Sequence, residues 1–236
     1  MSSPLPSPPI IHVLDKANYS KHHVVILPNE PLPPLAPSSL RFQSRILGLT
    51  TNNLSYARLG HIMGWYDTYP LPPNTPSPYN DPSTFGRIAA WGYAEILEST
   101  FEGIEVGQSM YGFLPISENS REDVKVECAT TSAGEKIEGN IVVLDAHRQH
   151  LWKIYNRYQI CPPLAQLVQS KGEDSLGWDG LMRGLFATGY NLSSYAFAWE
   201  EVSRIHPSGK GEWGREDADL RGAAVIILNA SGKVSL

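Results

Sequence analysis

The stretch from Trp91 to Pro115, WGYAEILESTFEGIEVGQSMYGFLP, constrains the fold more than any other. A small-residue strand runs into a solvated turn and then into a second strand closed by glycine. The pair reads as part of a substrate-binding β-barrel.

The surrounding segments extend the β-rich reading. Proline clusters at 4 to 9 and 28 to 37 bracket two β-branched runs, Ile10 to Leu14 and Val24 to Leu27, which predict a hairpin. Leu40, Phe42, Ser44 and Ile46 alternate as a half-buried strand, followed by a polar turn containing Asn52 and Asn53 and a short helix near Tyr56. From Tyr69 to Phe85 the sequence is proline-rich without apolar periodicity, which predicts an exposed loop able to cover a cleft. Two more strands are expected at Val124 to Cys128 and Ile141 to Leu144. The last third differs: Leu181, Leu185, Phe186, Tyr190, Leu192, Tyr195, Phe197 and Trp199 recur at helical spacing, predicting one or two helices over residues 179–203. A buried-type strand at Ala224 to Leu228 and a loop with Gly232 and Lys233 follow. The expected class is mostly β with an α/β C-terminal part, divided into a barrel over residues 1–160 and a helical segment over 161–236.

Composition narrows the partners. A net charge of −5, with 19 scattered Lys and Arg, argues against nucleic acid, whose phosphates need clustered cations. No apolar run reaches the roughly 18 to 20 residues of a membrane span, and MSSPLPSPPIIHVLDK lacks the features of a secretory signal, so a cytoplasmic location is expected. A small-molecule substrate remains. Two cysteines, Cys128 and Cys161, are too few for a disulfide framework or a thiolate zinc site and are expected as buried thiols. Among the seven histidines the tightest grouping is His147 and His150, in a charged and solvated stretch, so no metal is expected.

The order LTTNNLSYA, GWYDTYP, AAWGYAEILES, VGQSMYGFLP, YNRY and VIILNASGK resembles the medium-chain dehydrogenase/reductase superfamily, and within it the branch described as domain of unknown function 2855. The resemblance implies a GroES-like β-barrel followed by a Rossmann-type segment, incomplete here. Zinc-dependent relatives place a His-Glu pair where this chain has Trp91, Gly92 and Tyr93, which again implies no zinc. The loop NASGKVSL fails as a P-loop, since Ile227 stands where its first glycine belongs. No nicotinamide or other cofactor is therefore expected on this chain.

Candidate site residues follow from chemistry and from the resemblance's cleft. Asn52, Asn53 and Tyr56 could converge amide and phenol donors on one ligand oxygen; alternatively Asn53 caps a helix and Tyr56 packs on the barrel. Trp65, Tyr66 and Asp67 lie beside the proline-rich loop, where Asp67 could be desolvated enough to act as an acid or base. Tyr155, Asn156 and Tyr158 repeat the Asn/Tyr chemistry, and Trp91 could hold an apolar chain. Asn53, Tyr56 and Asp67 are the expected catalytic residues; Asn52, Trp65, Tyr66, Trp91, Tyr155, Asn156 and Tyr158 are the expected substrate contacts. Three functions remain open: a cofactor-independent cyclase, isomerase or lyase for a carbonyl-containing or polyunsaturated metabolite; an NADPH-dependent reductase whose cofactor domain is missing or supplied by another chain; and a non-catalytic binding protein. An unpaired apolar strand near the C-terminus adds the expectation of a homodimer.

Overall fold

The alternating and β-branched runs become, in chain order, β1 (Ile10–Asp15), β2 (Asn18–Ile26), β3 (Ser39–Gly48), β4 (Phe85–Gly86), β5 (Ala89–Ser99), β6 (Ser109–Pro115), β7 (Ser117–Glu118), β8 (Glu122–Thr130), β9 (Lys136–Val143) and β10 (Arg157–Cys161). The computed structural model describes residues 7–131, 133–207 and 211–224. Most of the strand expected at Ala224 to Leu228, and the loop of Gly232 and Lys233, lie outside the described residues. The chain forms two units, Met1–Leu181 and Met182–Leu236.

In the first unit, six strands close into a barrel in the order β10-β6-β5-β3-β8-β9. All its neighbours are antiparallel. The hairpin β1–β2 forms as expected and builds a separate small sheet with β4 and β7. The glycines that drew attention to residues 91–115 face each other, Gly92 opposite Gly112. A methyl on Gly92 would sit 2.0 Å from the Ile46 carbonyl oxygen, and one on Gly112 would sit 2.1 Å from the Tyr158 ring. Close approach of the β3 backbone to one and of the Tyr158 ring to the other therefore requires glycine at each position. Inside, Leu40, Phe42, Ile96, Met110, Phe113 and Leu114 are fully buried.

Cross-strand register also sets the charges. Arg41 on β3 lies directly opposite Glu98 on β5 and Asp123 on β8. It donates to Glu98 Oε1 at 2.8 Å and to both Asp123 oxygens at 2.7 Å, tying three strands together. Its guanidinium is buried while both carboxylates are partly solvated, so the acids satisfy a cation that would otherwise be expensive to bury.

Two local expectations need correction. Asn52 and Asn53 do not lie in a turn but in the first turn of α1 (Thr51–Met63). Thr50 takes the cap: its Oγ1 accepts from the Asn52 N–H at 3.1 Å, and Asn53 Oδ1 accepts from the Thr50 N–H at 2.7 Å. A reciprocal capping box starts the helix earlier than apolar periodicity suggests. Residues 70–84 are irregular as expected, but the loop is anchored in the core by Tyr69 and Thr75, each 4% exposed.

After β10 come α2 (Leu164–Lys171) and α3 (Glu173–Asn191), the latter ending in a π-helical turn at Leu192–Ala196, so the expected helical stretch breaks before residue 203. The short α4 (Arg215–Ala218) lies in the second unit. Among the described residues no helix is long and apolar enough to cross a membrane.

The β1–β2 hairpin carries a pH response. His12 Nε2 lies 2.9 Å from His22 Nδ1 with the rings stacked. Burial first, and then the neighbouring His22, His23 and Arg87, lower the His12 pKa from 6.5 to about 4. A base whose folded pKa is depressed binds fewer protons than the unfolded chain between these values, so stability falls as pH drops from 6.5 toward 4. The thermal midpoint is expected to fall less steeply over this window in His12→Gln than in the wild type. Parallel pH profiles for the two proteins would contradict the assignment.

Candidate functional site

α1 is pinned to the barrel at its first turn, since Asn53 Nδ2 donates to the Ala89 carbonyl at 3.0 Å, where β5 begins. One turn later Tyr56 points inward, 7% exposed. It meets Trp65 (ring centroids 4.9 Å apart), Phe113 (4.9 Å) and Tyr155 (6.1 Å). Trp91 closes the group against Phe113 (5.5 Å) and Tyr155 (6.1 Å). Four expected site residues, Tyr56, Trp65, Trp91 and Tyr155, are thus brought together around Phe113. These come from α1, the short 3-10 turn after it, β5, β6 and the segment before β10.

The polar edges of these rings form a chain. The Trp91 indole N–H donates to Tyr56 Oη at 3.1 Å. The Tyr155 ring is the shared neighbour, its centroid 6.1 Å from that of Tyr56 and 5.8 Å from that of Trp65. An indole can only donate, whereas a phenol both donates and accepts. Tyr56 Oη accepts from Trp91, so its own hydroxyl hydrogen is left to donate. Burial raises the Tyr56 pKa, against the pull of the Trp91 and Tyr155 bonds, and burial and Tyr56 raise that of Tyr155. Both remain neutral donors at physiological pH.

The other expected residues lie elsewhere. Asn52 is exposed on α1. The Asn53 amide is occupied by Thr50 and Ala89, the capping alternative. Asp67 is exposed rather than desolvated, with its Oδ2 3.1 Å from His150 Nε2. It sits on the 3-10 turn after Gly64, as the exposed third residue behind buried Trp65 and Tyr66. Tyr66 faces away from the cluster and donates to the Ala57 carbonyl at 2.5 Å; burial and Tyr19 push its pKa up to about 12.

Asn156 and Tyr158 belong to a second, fully interior group that the sequence does not reveal. Its centre is Arg148, 1% exposed. Arg148 donates through Nε to Asn156 Oδ1 (2.7 Å) and through one terminal nitrogen to the Tyr155 carbonyl (2.5 Å) and Tyr158 Oη (2.9 Å). The Tyr158 and Tyr69 hydroxyls are 2.8 Å apart and each donates to the Phe113 carbonyl. Arg148 has no motif to announce it, whereas Tyr69 lies in GWYDTYP and Phe113 follows Tyr111 at strand spacing and could be placed on the face that meets Trp91. Through the Tyr155 carbonyl, this interior group holds the backbone that presents Tyr155 to the aromatic cluster.

Among the described residues no group of three or more His, Cys, Asp or Glu could hold a metal ion. The described strands pair only antiparallel, whereas a dinucleotide crevice is built on parallel strands; most of the strand expected to begin one lies outside the described residues. No curated protein matches the chain. A family model does match, from residue 47 near the end of β3 to residue 236, more than half of the chain and every residue of the aromatic cluster. On that match the chain belongs to the family described as Protein of unknown function (DUF2855).

Proposed function

We propose that this protein is an enzyme of the cyclase, isomerase or lyase kind acting on a small, largely apolar carbonyl compound. The observation that carries the reading is the Tyr56 hydroxyl, which accepts from Trp91 and keeps its own hydrogen to donate, set among Trp65, Trp91 and Phe113. A carbonyl oxygen supplies the missing acceptor, and the surrounding rings accept the rest of the molecule. Because the phenol is neutral and fixed by its neighbours, it stabilises negative charge developing on that oxygen without reorganising, which favours enolate-like transition states. The closed six-stranded barrel and the motif order around Asn53, Trp91 and Tyr155 support descent from the GroES-like barrel of the medium-chain dehydrogenase/reductases.

The reading is tested with a matched pair, 2-acetylnaphthalene and 2-ethylnaphthalene, titrated against the protein by fluorescence. The ketone is expected to bind more tightly, and Tyr56→Phe to remove about tenfold of that preference, the worth of one hydrogen bond. Comparing metabolites with and without the gene then identifies the substrate. If Tyr56→Phe leaves the ketone's preference unchanged while circular dichroism shows an intact fold, the cluster does not receive a carbonyl.

A further inference from the structure

At the opposite end of β5 and β6 from the aromatic cluster, about 26 Å away along β5 at the ordinary strand rise, the barrel has a second opening. β9 pairs with β10 only through Asn140, Ile141 and Val142. Just before this, Gly139 takes φ 66, a left-handed conformation, and the pairing with β10 stops. The mouth this leaves, bounded on its far side by the turn after β5, encloses about 720 Å³. That volume falls within the usual range of small-molecule sites, which favour barrel mouths.

The lining is apolar within and acidic at the rim. Phe101, Ile104, Ile137, Ile141 and Ile160 form the inner wall, with Ile141 3% exposed and Ile104 9%. Glu102 and Glu138 stand exposed among the lining residues against a single cation, Lys136. Neither carboxylate forms an ion pair among the described residues. We propose that this mouth binds a small apolar amine, its hydrocarbon part against the isoleucines and its ammonium between Glu102 and Glu138. An apolar carboxylate would bring its charge to a rim with net negative charge, which disfavours it. The site does not depend on the Tyr56 cluster.

The chain contains its own reporters. Its only two cysteines, Cys128 on β8 and Cys161 at the end of β10, both line this mouth. Both are thiols and half-buried rather than buried outright as the sequence suggested. The experiment exposes the full chain to iodoacetamide with decylamine, decanol or decanoate below micelle formation, and follows each cysteine by mass spectrometry. Decylamine is expected to slow alkylation of both cysteines about tenfold more than decanoate does, as expected for a charge pair at a partly desolvated rim. In the double variant Glu102→Gln, Glu138→Gln that difference disappears while protection by decanol persists; both positions are exposed, so the fold tolerates the change. Equal protection by amine and carboxylate in the wild type overturns the amine assignment. Alkylation rates untouched by all three compounds overturn the site itself.

Discussion

Replacing Arg148 with methionine is expected to destabilise the first unit by about 3–5 kcal/mol, because several buried polar groups lose their donor at once. Methionine matches the length of the side chain but leaves Asn156 Oδ1 and the Tyr155 carbonyl without their donors and deprives the Tyr158 hydroxyl of its cation. Each buried polar atom so abandoned costs about 1–3 kcal/mol. Arg148→Lys should recover little, because one ammonium on a flexible stem cannot span an amide, a carbonyl and a phenol held in a planar fork. Urea unfolding of the three proteins measures both effects. A methionine variant within about 1 kcal/mol of the wild type would show that the network relaxes and does not organise the barrel.

The second large effect is expected at Gly92. In Gly92→Ala the new methyl meets the Ile46 carbonyl oxygen at 2.0 Å. Ile46 lies just past a register shift between Ser44 and Ile46, where β3 already bends around the barrel. Backbone cannot rotate aside as a side chain can, so β3 and β5 must separate, at a cost of about 3 kcal/mol or more, beyond ordinary overpacking. Gly184 in α3 is the control: a methyl there meets nothing within 4 Å, and Gly184→Ala is expected to stabilise the helix by about 0.5–1 kcal/mol. Chemical denaturation of both variants separates steric demand from glycine's general flexibility. Similar shifts at the two positions would refute the argument from close approach.

These cases show which parts of the molecule are legible in its sequence. Strand alternation and paired glycines reveal the barrel because each is a local record of a sheet's two faces. The hairpin at Ile10 to Ile26 is visible for the same reason. The start of α1 is misplaced by a few residues because Asn52 and Asn53 suit both a turn and a helix's first turn, and only the reciprocal bonds with Thr50 decide between them. At the candidate site, large aromatics converge: Tyr56, Trp65, Trp91 and Tyr155 share one interior position. The small polar residues diverge, since Asn53 completes a cap and Asp67 is the exposed residue of a 3-10 turn. Arg148 is hidden because a lone arginine in DAHRQHLWK has the local appearance of a solvated charge. Its burial follows from partners brought in by strand closure, a distance that periodicity does not record.

The bond from Asn53 to Ala89 has a mechanical consequence. It joins the first turn of α1 to the first residue of β5, and Tyr56 and Trp91 follow it by three and two residues. The segment between these anchors, rich in proline and without regular pairing through residues 70–84, is therefore short-circuited. Although Tyr69 and Thr75 anchor it in the core, it does not set the spacing of Tyr56 Oη from Trp91 Nε1. The aim of the Tyr56 donor is thus set by one bond between a helix and a strand, and the sequence joining them is released from that duty.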